Sequence, residues 1–465
     1  MSPAVALASL PASDAPPLGE VLSAWGIVPF AGMLLSIALL PLLSPHFWRR
    51  HYPKVTLLWA LAFTVPFLAA HGALARYEVL HVALVDYVPF LTLLWALFTV
   101  SGGIVVRGTP RATPAVNTAL LAVGTVAASW IGTTGAAMLL IRPLLRANAG
   151  RRRASHVVVF FIFLVANVGG VLTPLGDPPL FLGFLHGVPF FWTLHLAPHF
   201  LFVSILLLAS FYVLDRFRMR RDAAPAGSRE EAPADKVRIR LGGAWNLLFA
   251  AGIVGAVLLS GLWESPSVLV LGVSLQWSDL AREALIMAMG ILSLATTPRG
   301  LRVENGFSWE PIREVAILFA GIFATIIPAI AILKAGERGA LAFLIERIRE
   351  PWQFFWATGL LSSVLDNAPT YLTFLNVGLG RLYPGLPEAT QVARILAEHP
   401  QVVAAVSSGA VFMGANSYIG NAPNFMVKSI AEEAGMAMPS FFGYVFRWAL
   451  PILLPAFLMA GWIFF

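Results

Sequence analysis

Long apolar segments separated by short polar loops dominate this chain. Eight of them have roughly the twenty residues that a helix needs to cross the hydrocarbon core of a bilayer. They run over 21–43, 55–73, 88–106, 191–214, 244–264, 281–297, 315–334 and 440–465. Four further apolar segments have polar centres, at 114–145, 157–186, 351–380 and 401–430. The pattern predicts an all-α polytopic membrane protein.

Two of the interrupted segments carry similar polar strings, one in each half of the chain. TPLGDPPL occupies 173–180 and SYIGNAPN occupies 417–424, and a gapless alignment places Asp177 opposite Asn421. A helix broken at membrane depth survives only beside a protein-lined cavity, and matched breaks in two halves are typical of a transporter's binding site. The alternative is a pair of ordinary loops between helices.

Basic residues in the short loops place these segments relative to the membrane, because Lys and Arg accumulate on the cytoplasmic side. With the basic loop 44–54 inside, both flanks of segment 114–145 carry arginines and lie inside as well. A segment with both ends on one side is a re-entrant hairpin. Continuing the alternation puts both ends of 351–380 outside, so that the second hairpin enters from the periplasm.

The sequence therefore predicts two inverted-topology repeats, each with a re-entrant helical hairpin and a broken transmembrane helix. The predicted parts are a periplasmic tail over 1–20, a first transmembrane repeat over 21–214, a cytoplasmic linker over 215–243 and a second, inverted repeat over 244–465. Both termini are predicted to be periplasmic, in a bacterial inner membrane. The first 19 residues contain no Lys or Arg, which favours an uncleaved tail over a signal peptide. Segments 337–350 and 386–398 are predicted to be amphipathic helices at the outer face.

Composition agrees with the membrane assignment and narrows the chemistry. Of the 465 residues, 58% are hydrophobic and 12% are charged, a balance that no soluble domain of this size has. The net charge of +7 comes from basic loops, so nucleic acid is not an expected partner. The lack of cysteine excludes disulfides and thiolate metal sites. Because no nucleotide-binding motif is found, we expect a protein driven by an ion gradient, and not an enzyme.

The candidate site residues cluster at the breaks and at the hairpin centres. Their hydroxyl, amide and carboxylate oxygens are hard ligands that suit a small cation, and carboxylates at membrane depth are functional candidates because they are costly. The predicted ion- or substrate-binding residues are Thr133, Thr134, Asn167, Thr173, Gly176, Asp177, Ser363, Asp366, Asn367, Thr370, Asn416, Ser417 and Asn421. The candidate Na⁺ ligands among them are Thr133, Asp177, Asp366 and Asn416.

Some of these polar residues also have structural interpretations. Asp177 and Asp366 stand just ahead of prolines, where either could be a helix N-cap. His195 and His199 lie one helical turn apart, but without a third ligand they do not predict a metal site. Arg142, at the end of the first hairpin, is expected to anchor that end at the cytoplasmic interface in preference to binding an anion.

The strings GTTGAAMLLIRP, NVGGVLTPLGDPPLF, SSVLDNAPTYLTF and GANSYIGNAP resemble the ion transporter superfamily. That group includes NhaD-type sodium/proton antiporters, arsenite permeases, citrate transporters and divalent-anion/sodium symporters. The resemblance implies an inverted-repeat fold, a homodimer and an elevator-like motion. It implies one ion site with Thr133, Thr134, Thr173 and Asp177. It implies a second with Asp366, Asn367, Thr370, Asn416 and Asn421.

We therefore predict a secondary active transporter, with sodium/proton antiport favoured. Asp177 and Asp366 would bind Na⁺ when ionised and release it on protonation. The alternative is a cation-coupled citrate or dicarboxylate transporter, which could take its substrate as a cation complex. Two carboxylates and no predicted Lys or Arg in the cavity favour cations over free anions. The expected partners are membrane lipid, inorganic cations and, under the alternative, a small carboxylate. No cofactor is expected beyond the transported Na⁺ and H⁺.

Overall fold

The protein is described here by a computed structural model over residues 18–108, 112–151, 154–222 and 240–465. Most of the predicted tail and the centre of the predicted linker, 223–239, lie outside the described residues. The regular structure is overwhelmingly helical, and it confirms the prediction of an all-α polytopic membrane protein.

The first half contains nine helices and one short strand in its described part. They are α1 (Leu18–Val21), α2 (Val28–Leu43), α3 (Pro45–His81), α4 (Val88–Gly102), β1 (Val105–Arg107), α5 (Pro114–Ile131), α6 (Thr133–Asn148), α7 (Ser155–Leu164), α8 (Pro178–Leu185) and α9 (Ala197–Asp222). Short 3-10 turns cover Ala24–Ile27, Val168–Val171 and Phe190–Leu196, and a π-helical turn covers Val82–Tyr87.

The second half contains twelve helices and three short strands in its described part. They are β2 (Arg240–Gly242), α10 (Asn246–Leu262), β3 (Ser267–Val270), β4 (Val273–Gln276), α11 (Trp277–Thr296), α12 (Arg299–Glu304), α13 (Glu310–Lys334), α14 (Ala342–Arg347), α15 (Pro351–Ser362), α16 (Asn367–Leu382), α17 (Glu388–Glu398), α18 (Pro400–Met413), α19 (Ala422–Glu433), α20 (Phe441–Tyr444) and α21 (Leu450–Phe464). The remaining turns are 3-10 at Gly336–Arg338 and Gly414–Asn416, and π-helical at Val445–Ala449.

Within the described residues, six helical stretches are long and apolar enough to cross a membrane. They are Ala24–Leu43, Pro45–Gly102, Pro114–Ile131, Phe190–Arg221, Glu310–Lys334 and Phe441–Phe464. The stretch Pro45–Gly102 joins the spans predicted at 55–73 and 88–106, and the loop predicted over 44–54 is itself helical. The helix is kinked at Gly72, whose φ of 51° and ψ of −114° are conformations that glycine tolerates.

Both predicted hairpins are present as pairs of packed helices, α5 with α6 and α15 with α16. The first pair meets at Gly132, where φ is 80°, and the second pair is joined by residues 363–366. Both predicted breaks are present too, because the chain leaves helical conformation between α7 and α8 and between α18 and α19. That the hairpins are re-entrant, and that the repeats are inverted across a membrane, stays a prediction.

The two halves pack against each other through matching partners. Helix α4 packs on α11 as α13 packs on α3, and α6 packs on α19 as α16 packs on α8. Helix α7 is buried from His156 to Leu164 and α18 from Val402 to Met413, whereas α10 buries one stripe of side chains. Helices that are buried on all sides form the centre of a large protein. The first parts of the two broken helices therefore lie in the core, and α10 lies at its edge.

The ends of the predicted linker have regular structure. Helix α9 continues through Asp222, and β2 pairs in antiparallel register with β1, so that Val105 faces Gly242. The side chain of Asp215 is fully buried and lies 2.8 Å from His156 Nε2 and 2.6 Å from Arg151 Nη1. These buried contacts hold a polar stretch in helical form, which composition alone did not indicate.

The predicted amphipathic helices are present in part. Helix α17 covers most of 386–398, whereas only α14 and a 3-10 turn form within 337–350. Glu388 of α17 accepts from His186 Nδ1 at 2.5 Å and from Lys334 Nζ at 2.7 Å. Burial alone would raise the pKa of the Glu388 carboxyl, but the charges and hydrogen bonds of His186 and Lys334 outweigh it and hold that pKa well below its usual range. These ion pairs tie α17 to α13 and to the end of α8.

Candidate functional site

The two breaks adopt the same local backbone structure. Thr173 Oγ1 accepts a hydrogen bond from the amide two residues on, at 3.2 Å, and Ser417 Oγ does the same at the same distance. Asp177 has φ −143° and ψ 143°, and Asn421 has φ −152° and ψ 139°. Each of these residues precedes a helix that has proline in its first turn, a position where proline loses no helical hydrogen bond. The similar sequences at 173–180 and 417–424 therefore have similar backbone structures.

A close backbone approach explains the glycines shared by the breaks. A Cβ atom on Gly176 would lie 2.2 Å from the carbonyl oxygen of Gly170, and one on Gly420 would lie 2.6 Å from that of Gly414. No side chain fits at either position without moving the backbone. The Gly176 carbonyl also accepts a hydrogen bond from the Thr133 amide at 2.8 Å, which ties the first hairpin tip to the first break.

The Asp177 carboxylate is the point at which the two halves meet. It is 1% exposed and makes no capping hydrogen bond to α8, so the N-cap interpretation does not describe its side chain. Its Oδ1 accepts from Thr133 Oγ1 at 2.9 Å and from Asn421 Nδ2 at 3.0 Å, and its Oδ2 accepts from Asn367 Nδ2. The aligned residues of the two breaks therefore bond directly to each other.

Asp366 differs from Asp177, because it does cap a helix. Its Oδ1 accepts from the Ala368 amide at 3.0 Å, at the start of α16. Its backbone carbonyl accepts from Thr370 Oγ1 at 2.8 Å. Asp366 is therefore a helix N-cap, as one interpretation of the sequence predicted. It also lines the same cavity as Asp177.

That cavity has a volume of about 80 Å³ and lies between polar tips and apolar helices. Its polar wall contains Thr133, Thr134, Asp177, Asp366 and Asn421. Its apolar wall comes from α4 and α13, with Phe90, Leu93, Leu94, Leu97, Phe98, Ile312, Val315 and Phe319. No Lys, Arg or His of the described chain lines it. The sequence did not single out the apolar wall, because its residues look like any that face lipid.

Four helices begin at this cavity. Their N-caps are Gly132 for α6, Asp177 for α8, Asp366 for α16 and Asn421 for α19, and all four line it. A helix N-terminus carries a partial positive charge from its unpaired amides. The convergence of four such ends stabilises a buried carboxylate where no cationic side chain is present.

The structure regroups the residues that the resemblance divided between two sites. Asn367 and Asn421 were expected at the second site, and both donate to Asp177, which was expected at the first. A single arrangement around Asp177 therefore collects donors from both halves. Asn367 Oδ1, moreover, is buried and has no hydrogen-bond partner among the described residues.

Other predicted residues lie around the breaks and do not line the cavity. Asn416 Nδ2 donates to Ser363 Oγ at 2.8 Å, and Ser417 Oγ accepts from the Gly420 amide at 3.1 Å. The geometry therefore gives no support to Asn416 as a Na⁺ ligand beside Asp177 and Asp366. Thr173 Oγ1 donates to the Ser129 carbonyl and fastens the first break to α5.

Asn167 joins the two breaks at a second point. Its Nδ2 donates to Asn424 Oδ1 at 2.7 Å and to the Ile162 carbonyl at 2.7 Å. Asn424 in turn donates to the carbonyls of Gly414 and Ser417. Asn424 was not among the predicted site residues, although it is an amide where the first break has Leu180. Its contacts indicate a structural link between the halves.

Comparison with known proteins identifies the class. The model of a family described as "Putative citrate transport" matches residues 19–465. Because the match covers nearly the whole chain, the protein belongs to this family, and it is an integral membrane protein of the secondary transporter class. A comparison with curated proteins finds no match. The predicted resemblance to citrate-transporter-like ion transporters is confirmed, and the likeness to sodium/proton antiporters stays a prediction.

Proposed function

We propose that this protein exchanges Na⁺ for protons across the membrane, with Asp177 and Asp366 as a shared cation and proton site. One observation carries the proposal. Both carboxylates line one cavity, and no cationic side chain of the described residues lines it with them. Two neighbouring carboxylates attract small cations and repel free anions, most strongly where water is excluded.

The neutral groups around the carboxylates suit a small hard cation. Asn367 does not line the cavity, but its Nδ2 donates to Asp177, and its Oδ1 is a buried amide oxygen without a partner among the described residues, which a cation held at Asp177 would satisfy. Thr134 and Gly132 line the same space. The three donors to Asp177 fix its orientation and occupy three of its roughly four lone-pair sites, which leaves one site on Oδ2 for the cation.

Competition between Na⁺ and protons for these carboxylates would couple the two flows. An ionised carboxylate binds Na⁺, and its protonation removes the charge that holds the ion. The site then carries one cargo in each direction. The helix N-termini around the cavity make the ionised empty site less costly, which lets Na⁺ compete with protons for it.

An elevator-like movement would suit the position of the cavity. Its polar side belongs to the hairpins and breaks, and its other side is the apolar surface of α4 and α13. An apolar wall makes no directional bonds, so the movement would break no hydrogen bond within the cavity, whereas the ion pair between Lys334 of α13 and Glu388 of α17 would have to open or move with it. We propose that the hairpins and broken helices move together against α4 and α13.

A second candidate is transport of citrate as a cation complex, and the family match favours it. Free citrate carries several negative charges, and the aspartates would repel it. A divalent cation bound to citrate would offset that repulsion and place positive charge between Asp177 and Asp366. The same carboxylates would then recognise the metal of the complex.

Reconstituted liposomes distinguish the two candidates. A pH-sensitive dye inside the vesicles reports proton movement when a Na⁺ gradient is imposed without citrate. Uptake of labelled citrate is measured in parallel, with and without Mg²⁺, and protein-free liposomes are the control. We expect Na⁺-dependent proton flux. Citrate uptake that needs Mg²⁺, without any Na⁺-dependent proton flux, would replace the first candidate by the second.

A further inference from the structure

A second, larger cavity lies at the end of the molecule where α6 ends and α7 begins. Its volume is about 1130 Å³, and it shares no lining residue with the carboxylate cavity. The charged residues that line it are Arg142, Arg146, Arg151, Arg218, Arg447 and Glu433. Among the described residues, five guanidinium groups line the cleft with one carboxylate, and Asp215 offsets the charge of Arg151 from behind, so that the net charge is positive, opposite in sign to that of the carboxylate cavity. The basic loops place this end on the predicted cytoplasmic side.

Contacts with the surrounding protein hold several of these arginines in position. Arg146 Nη2 donates to the Val106 carbonyl at 2.7 Å, and Arg151 Nη1 lies 2.6 Å from Asp215 Oδ1. The guanidinium of Arg218 lies 4.9 Å from the ring centre of Trp448, which also lines the cleft. Held arginines lose little side-chain entropy when they bind a ligand.

Arg142 points most directly to a missing partner. Its Nη1 is buried and has no hydrogen-bond partner among the described residues. Buried donors that carry charge are normally paired, because leaving one unpaired is costly. The sequence interpretation of Arg142 was an anchor at the membrane interface, but the residue lines this open cleft.

We propose that the arginine cleft binds a ligand with two or more negatively charged oxygens, such as a phosphate or polycarboxylate group. The planar guanidinium group matches these groups with paired hydrogen bonds. Two sources offer this chemistry: a free polyanion from the cytoplasm, and the headgroup of an anionic phospholipid. The proposal does not depend on the Na⁺ and proton exchange proposed above, since the two cavities are separate.

Inorganic pyrophosphate tests the free-anion source. It is titrated calorimetrically into the full-length protein in neutral detergent at low ionic strength. We expect saturable binding that weakens about tenfold in Arg142→Gln and in Arg447→Gln, because each loses a charge-assisted hydrogen bond. Binding should tighten in Glu433→Gln, a gain that misfolding cannot produce. Arg216→Gln is the matched control, because Arg216 is an exposed arginine of α9 that does not line the cleft.

Retention of phosphatidylglycerol tests the lipid source. Wild-type protein, Arg142→Gln and Arg216→Gln are purified from mixed phosphatidylcholine and phosphatidylglycerol vesicles, and the bound lipid is quantified. Greater retention of phosphatidylglycerol by wild type and Arg216→Gln than by Arg142→Gln assigns the lipid headgroup. Pyrophosphate binding with the expected variant pattern assigns the free polyanion. The proposal would be overturned if wild-type protein neither bound pyrophosphate nor retained phosphatidylglycerol. It would also be overturned if Arg142→Gln and Arg216→Gln reduced binding or retention equally.

Discussion

Replacing Asn367 with Ala removes two groups from the proposed cation site. One is the Nδ2–H that donates to Asp177, and the other is the buried Oδ1 that has no partner among the described residues. The carboxylates of Asp177 and Asp366 stay in place. The change therefore tests whether the amide orients the carboxylate and supplies a ligand, without removing the charge that attracts the ion.

The expected size of the effect follows from the contact that is lost. A hydrogen bond to a charged group contributes about 1.5–3 kcal/mol, and about 1.4 kcal/mol corresponds to a tenfold change in an equilibrium constant. The Na⁺ concentration for half-maximal exchange in Asn367→Ala should therefore rise about 10- to 100-fold. The maximal rate at saturating Na⁺ should change much less, because both titrating carboxylates remain.

Asn376→Ala is the matched control for this experiment. Asn376 lies on the same helix, is 1% exposed, donates from Nδ2 to the Leu372 carbonyl at 2.8 Å and has a buried Oδ1 without a partner among the described residues. Neither asparagine is among the residues that line the cavity; Asn367 differs from Asn376 in donating to Asp177. Initial rates of Na⁺-dependent proton flux in liposomes give both half-saturation values. If Asn367→Ala keeps the wild-type value, or if both variants shift equally, the assigned role of Asn367 is refuted.

Three further predictions concern packing, pH and topology. Gly176→Ala should lower the melting temperature and the yield of folded protein, because the new Cβ would clash with the Gly170 carbonyl. Overpacking of this kind costs about 1–3 kcal/mol. An unchanged melting temperature would contradict the close approach of the two backbones. Glu388→Gln should lower the melting temperature at pH 7.5, and the gap to wild type should shrink as pH falls below 4.5, the ordinary pKa of this group. A group with a depressed folded pKa stabilises above its unfolded pKa and loses that effect as pH falls towards its folded pKa; a gap that grows on acidification would reverse the assigned sign. Single cysteines at Gly150 and Pro384, in a chain without native cysteine, should react with an impermeant thiol reagent from opposite sides; labelling from one side refutes the inverted topology.

The sequence was sufficient to locate the breaks and the hairpin tips. Glycine and proline interrupt helices whatever surrounds them, so local rules predict the turns at 173–177 and 417–421. The equivalence of Asp177 and Asn421 followed from a simple alignment, and their matching backbone angles agree with it. Local sequence carries this information because these features depend on a few neighbouring residues.

The partners of the site residues could not be predicted in the same way. Asn367 and Asn421 both donate to Asp177, although the resemblance divided them between two sites. Asn416 is a candidate Na⁺ ligand whose amide nitrogen donates to Ser363, and that role stays a prediction. The contacts of Asn367 and Asn421 with Asp177 join residues 190 and 244 positions apart, and they depend on how the halves pack.

Two polar stretches that were predicted as a loop and a linker from their composition are partly helical, again because of contacts with the rest of the fold. The loop predicted over 44–54 is the beginning of α3, and the predicted linker begins within α9, where Asp215 is buried against His156 and Arg151. Polar residues favour loops on average, but a buried network of hydrogen bonds holds them equally well in a helix. The arginine cleft is likewise invisible in sequence, because its residues come from separate elements.

The central claim is that Asp177 and Asp366 bind the transported cation and proton, and neutralising them tests it most directly. Asp177→Asn, Asp366→Asn and the double variant are compared with Asp279→Asn, which replaces a carboxylate outside the cavity. Asn caps a helix about as well as Asp, so the N-cap role of Asp366 would survive the change. At position 177 the amide nitrogen of Asn could not accept one of the hydrogen bonds that Asp177 receives on both oxygens, so correct insertion of each variant is checked separately. We predict that Na⁺-dependent proton flux falls to the level of protein-free liposomes in the double variant, while Asp279→Asn keeps it. Near-wild-type flux in a correctly inserted double variant would contradict the account.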